Sequence, residues 1–272
     1  MSYYERLGLK REPFSTSPDP AFFYRSNAHE SALRRLEISI RLRRGLSLVL
    51  GDVGTGKTTL SRTLVQNFSQ EKKFEVFLVL NPRFESEFQF LNYLCRLFRV
   101  TPPHRSLQDC LEVIEKYLFR KGVEEGKTVV LLVDEGQNLT PSLIELLRTL
   151  LNYETNEYKL LQLVIVAQLE ILTRLKRIRN FMDRVSMKYL INPLDLAETG
   201  EMIRYRLKVA EHKGPPLFTD GAVEGIHHAS QGYPRKVTYL AHNCLRNLVV
   251  RDRKVADAEF IRQILKEEAA FA

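Results

Sequence analysis

The stretch Gly51–Thr58 limits what this chain can fold into more than any other part of the sequence. It matches the pattern G-x-x-x-x-G-K-[ST] at every fixed position. The apolar run Leu46–Leu50 comes directly before it and predicts a buried strand, and the apolar spacing of Leu60, Leu64 and Phe68 after it predicts a helix. A strand, a glycine-rich turn and a helix in this order predict a phosphate-binding loop.

The residue types in this loop suit the phosphates of ATP. Glycines let the backbone N–H groups surround a phosphate closely, and the N-terminus of the following helix adds the positive end of its dipole. We expect Lys57 to reach the β- and γ-phosphates and the hydroxyl of Thr58 to bind Mg²⁺, whereas an ordinary glycine-rich turn would need neither residue. The positions expected to contact the nucleotide in this stretch are Gly51, Val53, Gly54, Thr55, Gly56, Lys57, Thr58 and Thr59.

A second motif lies about 80 residues further along the chain. The apolar run Thr128–Val133 ends in Asp134 and Glu135. A carboxylate at the end of a buried strand can hold Mg²⁺ through its water shell, and a glutamate beside it can orient or deprotonate the attacking water. Alone, the pair could be a strand ending at the surface. Together with the phosphate loop, it predicts an ATPase that converts ATP and water to ADP and phosphate.

Four further polar residues have both a functional and a structural interpretation. Gln168 follows the fourth predicted strand, where it could reach the γ-phosphate or simply end the strand. Asn81 could hydrogen-bond Glu135 or form a turn before Pro82. Arg184 and Arg235 are the arginines best placed to stabilise charge on the γ-phosphoryl group, and a surface salt bridge is the alternative for each.

Short apolar strands alternate with helices before Asn192, which predicts an α/β fold with a parallel five-stranded sheet covered by helices on both faces. After Asn192 the strand signal ends, and a capping-box pattern at Asp195–Glu198 opens a small all-α lid domain. We predict an N-terminal arm and first helix at 1–44 as part of the ATPase core, the α/β P-loop core at 45–194 and the lid at 195–272. The predicted strands are Leu46–Leu50, Phe74–Leu80, Thr128–Val133, Leu160–Ala167 and Met187–Ile191.

The opening segment through His29 is rich in proline and aromatic residues, which predicts an extended arm without regular structure that lies against the core. The helical period from Ser26 to Arg43 then predicts a helix with its arginines on one side.

Composition narrows the class of protein further. No apolar run approaches the ~18 residues that a membrane-spanning helix needs, and three widely spaced cysteines fit reduced, buried thiols of a cytoplasmic protein. The net charge is +8, and most of the surplus lies before Asp195. Part of this positive charge is clustered, and clusters of basic residues can bind nucleic acid or anionic lipid, but they are more often solvated helix faces. The two basic clusters are Arg34, Arg35, Arg41, Arg43 and Arg44, and Arg174, Lys176, Arg177 and Arg179.

Motifs along most of the chain resemble those of AAA+ ATPases, and more narrowly those of the ExeA family, which is named for general secretion pathway protein A. The resemblance covers roughly residues 5 to 240, far more than the loop alone. The matching segments are Leu7-Gly8-Leu9, Glu12-Pro13-Phe14, Pro18-Asp19-Pro20, Phe22-Phe23, His29, Gly51 to Thr59, Asp134 to Leu139, Leu151 to Asn156, Lys159 to Gln162, Gln168 and Gly232 to Arg235.

This resemblance implies roles for several residues. It makes Gln168 the first sensor, Arg235 the second sensor on the lid, and Arg184 an arginine finger that acts on ATP held by a neighbouring subunit, so that a homo-oligomeric ring or filament is implied. It brings the arm from Phe14 to His29 towards the adenine. It also implies that the phosphate-loop strand lies centrally, beside the Asp-Glu strand.

Two positions depart from the family pattern. The usual Asp-Glu-Ala-Gln is Asp-Glu-Gly-Gln here, with Gly136 in third place, and Ala167-Gln168-Leu169 replaces the usual Gly-Gln-Pro. These changes predict a differently set sensor loop.

Two functions remain open on the sequence. The first is an ATPase in the cytoplasm or at the inner face of the membrane, whose nucleotide-dependent assembly serves protein components of secretion or type IV pilus-like machinery. The second is a DNA-dependent AAA+ regulator resembling transposition ATPases, which would bind duplex DNA through the basic clusters.

Overall fold

A computed structural model describes residues 2–15 and 19–269. Within these residues five strands form one sheet, all neighbours being parallel, in the order β2-β3-β4-β1-β5. Each predicted strand lies within two residues of its observed bounds, so the predicted sheet is confirmed. The strands are β1 (Leu46–Gly51), β2 (Phe74–Val79), β3 (Thr128–Val133), β4 (Leu161–Ala167) and β5 (Val185–Ile191).

The strand order differs from the one that the family resemblance implies. That resemblance places β1 centrally and beside β3, and this prediction is wrong, because β4 lies between β1 and β3 and β1 lies next to the edge strand β5. The reason is the path of the chain. After β1 it crosses to β2 at the far edge of the sheet, and β3 and β4 then fill the intervening positions in sequence order.

Helices occupy the segments between the strands and most of the chain after β5. A five-residue π-helix, Arg120–Glu124, extends the fifth helix. Thr140 caps the sixth helix by accepting a hydrogen bond from Leu143 N–H at 3.3 Å, with Pro141 in the first helical position. The helices are α1 (Tyr3–Arg6), α2 (Asn27–Arg41), α3 (Lys57–Ser69), α4 (Glu87–Leu97), α5 (Leu107–Phe119), α6 (Pro141–Leu150), α7 (Ile171–Leu175), α8 (Leu196–Val209), α9 (Asp220–Ser230), α10 (Pro234–Val250) and α11 (Ala258–Ala269).

The inner strands β1, β3 and β4 are buried along their whole length, so both faces of the sheet are covered. Alternate side chains of a strand point to opposite faces. On one face Leu48 and Leu131 join an apolar cluster that includes residues of α4, α5 and α6. On the other face the hydroxyl of Ser47 lies 3.0 Å from that of Ser39 in α2.

A charged cluster lies near the start of β2. The Glu75 carboxylate accepts hydrogen bonds from Tyr117 and from Lys127, and Lys121 lies 2.8 Å from it. Burial alone would raise the pKa of Glu75, but these hydrogen bonds outweigh it and lower the pKa to about 2. Glu75 therefore stays ionised and connects β2 to Tyr117 of α5 and to Lys127, which directly precedes β3.

The described residues divide into two compact units. One contains residues 28–52 and 60–191, including the whole sheet, and the other contains the residues up to 27, 53–59 and those from 192 onward. The start of the chain therefore groups with the C-terminal helices, which differs from the predicted grouping of 1–44 with the ATPase core. The reason is apolar burial, because Leu9, Phe14 and Phe22 belong to the core cluster of the C-terminal helices.

Arg206 of α8 fixes this N-terminal segment. Its guanidinium donates to the backbone oxygens of Pro13, at 2.7 Å, and Ser15, at 3.1 Å, and to the hydroxyl of Thr238, at 2.8 Å. Burial lowers the pKa of Arg206 to about 10. The prediction that the opening segment lacks regular structure is wrong in part, because α1 and a 3₁₀ turn at Pro20–Phe22 form within it. Residues 16–18 of this segment lie outside the described residues.

The C-terminal helices begin with the predicted capping box. Asp195 accepts from Glu198 N–H at 2.7 Å, and the Glu198 carboxylate accepts from Asp195 N–H at 3.3 Å. Gly232 has a φ of +71°, and a Cβ there would lie 1.9 Å from the carbonyl oxygen of Leu194. The turn before α10 therefore requires glycine, because it packs directly on the backbone that enters α8.

Candidate functional site

The predicted phosphate loop has the backbone that phosphate binding needs. It leaves β1 at Gly51 and enters α3 at Lys57. Gly54 and Gly56 have φ values of +85° and +93°, a region that residues with a Cβ rarely adopt. Lys57 is 7% exposed and stands in the first turn of α3, where unpaired N–H groups and the helix dipole attract anions.

Arg235 lies against this loop within the same compact unit. Its backbone N–H donates to the carbonyl oxygen of Gly54 at 3.2 Å, and a Cβ on Gly54 would lie 3.0 Å from the Cβ of Arg235. Arg235 is the second residue of α10, so it uses one of the N–H groups that a helix leaves unpaired at its start. The predicted lid arginine and the phosphate loop therefore contact each other.

Three predicted residues lie at one edge of the sheet. Asp134 and Glu135 follow β3, and Gln168 follows β4. Because β4 pairs in parallel with both β3 and β1, the carboxyl ends of all three strands meet at this edge, where the loop leaves β1. Asp134 is 1% exposed, and its Oδ1 accepts from Glu135 N–H at 2.9 Å. Glu135 itself has a φ of +54°, which turns the chain sharply after β3.

Gln137, for which the sequence predicts no role, joins two of these residues. Its Nε2 donates to the Glu135 carboxylate, and its Oε1 accepts from Gln168 N–H at 3.1 Å. From α7, the guanidinium of Arg174 donates to the carbonyl oxygens of Gln137 and Leu139. The motif Asp-Glu-Gly-Gln contains Gln137, but its contacts depend on β4 lying beside β3, which no local pattern indicates.

Asn81 does not hold Glu135. Its side-chain oxygen accepts from the Asn138 side chain at 3.1 Å, and its carbonyl oxygen accepts from Arg83 N–H at 2.9 Å in a turn. The structural interpretation of Asn81 as a turn residue is therefore the one that the contacts support.

Two residues that differ from the family pattern, Gly136 and Ala167, pack against each other. A Cβ on Gly136 would lie 3.2 Å from the Cβ of Ala167 and 2.6 Å from Cγ2 of Ile165. The chain thus has the methyl group of Ala167 on β4 and a glycine, without a side chain, in the turn that faces it. Since the family pattern has alanine in the turn and glycine on the strand, the two changes together exchange which side carries the methyl.

Arg184 lies away from the other predicted residues. It ends a 3₁₀ turn directly before β5, so it stands at the amino-end edge of the sheet, opposite Asp134 and Gln168. Its guanidinium donates to the side-chain oxygen of Asn152 and contacts Arg148 O at 3.5 Å. Seven residues of β5 correspond to about 23 Å, so an arginine side chain cannot bridge the two edges.

His29, predicted to approach adenine, is 1% exposed in the first turn of α2. It therefore belongs to a helix and not to an extended arm.

The two residues predicted to hold Mg²⁺ both offer oxygen atoms. The hydroxyl of Thr58 and the carboxylate of Asp134 are ligands that Mg²⁺ prefers. Across residues 2–15 and 19–269 there is no cluster of three or more His, Cys, Asp or Glu that could hold a metal ion.

Two arginines of the first basic cluster make contacts within the fold. Arg41 pairs with Glu37 and Glu71. Arg43 donates to Thr128 Oγ1 at 3.0 Å and stacks 4.3 Å from the ring centre of Tyr158. The exposed cationic residues of the two clusters include Arg34, Arg35, Arg44, Lys176, Arg177 and Arg179.

A parallel sheet in this order, a phosphate loop after β1 and an Asp-Glu pair after β3 define a P-loop protein of the AAA+ class. Residues 40–175, half of the chain, match the AAA domain family, and the chain belongs to that family.

One curated relative is similar to this chain over most of its length. General secretion pathway protein A of Aeromonas hydrophila is 35% identical over 246 residues, which cover 89% of this chain and 44% of that protein. The chain thus spans less than half the length of this relative.

Two solved structures have the same fold. Aeropyrum pernix ORC2, in ADPNP and ADP complexes, is 15% identical with a TM-score of 0.65, and the match covers 95% of this chain and 72% of that one. Drosophila ORC bound to DNA is 20% identical with a TM-score of 0.67, and the match covers 95% of this chain and 66% of that one. Among the described residues, no helix is long and apolar enough to cross a membrane.

Proposed function

We propose that this chain binds ATP with Mg²⁺ and hydrolyses it. The observation that carries the proposal is the shared sheet edge at which β1 gives way to the phosphate loop and β3 ends in Asp134 and Glu135. Both motifs that hydrolysis needs are complete in sequence, and the topology directs them to the same edge.

In this proposal the loop N–H groups and Lys57 hold the β- and γ-phosphates, and Thr58 and Asp134 hold Mg²⁺. Bound Mg²⁺ neutralises charge on the phosphate oxygens. Glu135 accepts a proton from the attacking water, and Gln168 and Arg235 contact the γ-phosphate. His29 and the N-terminal segment lie towards the adenine. These roles rest on the motifs and on the family resemblance.

Arg184 fits a role in a neighbouring subunit. It stands at the sheet edge opposite its own Asp134 and Gln168, so it cannot reach a nucleotide bound at that edge of the same chain. We therefore propose a homo-oligomer, a ring or a filament, in which Arg184 of one copy stabilises the γ-phosphoryl group held by the next.

ATP turnover by the purified chain tests this activity. The wild type should release phosphate in a Mg²⁺-dependent reaction, and Lys57→Ala should lose both nucleotide affinity and turnover. If the wild type shows no phosphate release across a range of protein concentrations that includes its oligomer, the proposed activity is wrong.

The similarity to general secretion pathway protein A supports a role in secretion or type IV pilus-like machinery, with the protein in the cytoplasm or at the inner face of the membrane. A second candidate is a DNA-dependent regulator, and the exposed cations Lys176, Arg177 and Arg179 favour it.

A duplex-DNA titration separates the two. A DNA regulator should show salt-sensitive binding with stimulated turnover, and replacing these three cations by alanine should abolish both effects. ATP turnover and assembly that do not respond to DNA would favour the secretion role.

A further inference from the structure

Gln137 lies between the proposed general base and the end of β4. Its amide donates to Glu135 on one side and accepts from the backbone N–H of Gln168 on the other. We propose that Gln137 is a positioning residue, which aims the Glu135 carboxylate and ties its orientation to Gln168. The proposal rests on the proposed ATP hydrolysis and adds the group that controls its base.

The site leaves Gln137 little freedom. Its side chain is 6% exposed, and its carbonyl oxygen is fixed by Arg174 of α7. Gly136 beside it packs so tightly on β4 that no Cβ fits, which fixes the backbone just before it. A residue held at its backbone and at both polar atoms of its side-chain amide can define the direction of a neighbouring group.

Glu135 needs such a partner. It has a left-handed backbone conformation and is only partly buried, so its side chain would otherwise sample several rotamers. Asn81, the alternative partner considered from the sequence, is hydrogen-bonded to Asn138 instead. Among the described residues, the group hydrogen-bonded to the Glu135 carboxylate is the amide of Gln137.

The chemistry requires an amide at this position. Glu135 is an acceptor when ionised, so its partner must donate, while the N–H of Gln168 requires an acceptor. One side chain with a donor and an acceptor at its end meets both needs. A displacement of Gln168 by a γ-phosphate would move the acceptor end of the amide and, through it, the donor end that holds the base.

An isosteric exchange tests the contact separately from the chemistry. Gln137→Glu keeps the acceptor for Gln168 but offers no donor and places a second negative charge beside Glu135. We expect kcat to fall about 10- to 100-fold while ATP affinity stays within about threefold. The melting temperature should fall by about 2–4 °C.

The double variant Glu135→Gln/Gln137→Glu restores a donor opposite an acceptor. It should recover the melting temperature lost in Gln137→Glu, although turnover stays absent because the base is gone. If the change in melting temperature of the double variant equals the sum of the changes in the two single variants, the proposed contact is wrong.

Gln162 offers a matched control at the amino end of β4, opposite the edge that carries Glu135 and Gln168. It is also buried, with Oε1 accepting from Gly45 N–H and Nε2 donating to Lys159 O, both at 2.8 Å. Gln162→Glu should lower the melting temperature but leave kcat per folded molecule unchanged. If Gln137→Glu behaves in the same way while Glu135→Gln abolishes turnover, the positioning role is wrong and the proposed hydrolysis stands. A wild type without turnover would instead remove the proposed hydrolysis, and the positioning role with it.

Discussion

Restoring the methyl group that the family pattern has in the turn after β3 should destabilise this protein. In Gly136→Ala the new Cβ would lie 2.6 Å from Cγ2 of Ile165 and 3.2 Å from the Cβ of Ala167, both shorter than a normal contact. Overpacking of this kind costs about 1–3 kcal/mol of the free energy of unfolding. Because the turn carries Glu135 and Gln137, we also expect slower ATP turnover.

Ala167→Gly relieves one of the two close contacts. Alone it should cost about 1–2 kcal/mol, from the lost methyl burial and from glycine in a strand. In the Gly136→Ala background its cost should be lower by about 1 kcal/mol, since it removes the 3.2 Å contact while the contact with Ile165 remains.

Denaturant unfolding of the wild type, both single variants and the double variant measures this coupling. Gly122→Ala is the matched control, because its Cβ would lie 2.7 Å from Cδ2 of Leu160, at the other edge of the sheet. Ala167→Gly should be additive with that change. Additivity within about 0.5 kcal/mol in the Gly136 pair as well would refute the reasoning.

Three more changes test other parts of the structure. Glu75→Gln should cost about 1–2 kcal/mol at pH 7. Because the pKa of Glu75 is about 2 in the fold against an ordinary 4.5, the difference from the wild type should shrink as the pH falls from about 4.5 towards 2, and a constant difference across that range of unfolding measurements would contradict this. Gly232→Ala forces a Cβ against Leu194 O and should expose the C-terminal helices to limited proteolysis, so unchanged protection would refute the packing. Mixing Arg184→Ala with Lys57→Ala should recover turnover if Arg184 acts on a neighbour's nucleotide, and an inactive mixture would argue against the proposed finger.

Local patterns predict the fold well because the inner strands are buried on both faces. Thr128–Val133 is a continuous apolar run, and burial on both sides of the sheet requires such a run. The motifs can likewise be found in the sequence, since a phosphate loop needs particular residue types at fixed spacing, and the roles given to their residues stay predictions.

What the sequence did not reveal depends on tertiary neighbours. The bond from Gln137 to Gln168 exists only because β4 lies beside β3, and strand order carries no local signal. The packing of Leu9 and Phe14 on the C-terminal helices was missed for a similar reason, as two apolar residues in a proline-rich segment indicate burial but not the partner.

The fate of bound ATP in Glu135→Gln tests the central claim most directly. ATP labelled in the γ-phosphate is mixed with excess protein, and bound nucleotide is separated and analysed over time. We predict that the wild type converts bound ATP to ADP and phosphate, whereas Glu135→Gln binds ATP with similar affinity and retains it intact. Release of phosphate from Glu135→Gln at the wild-type rate would contradict the assignment of the base and, with it, the proposed hydrolytic site.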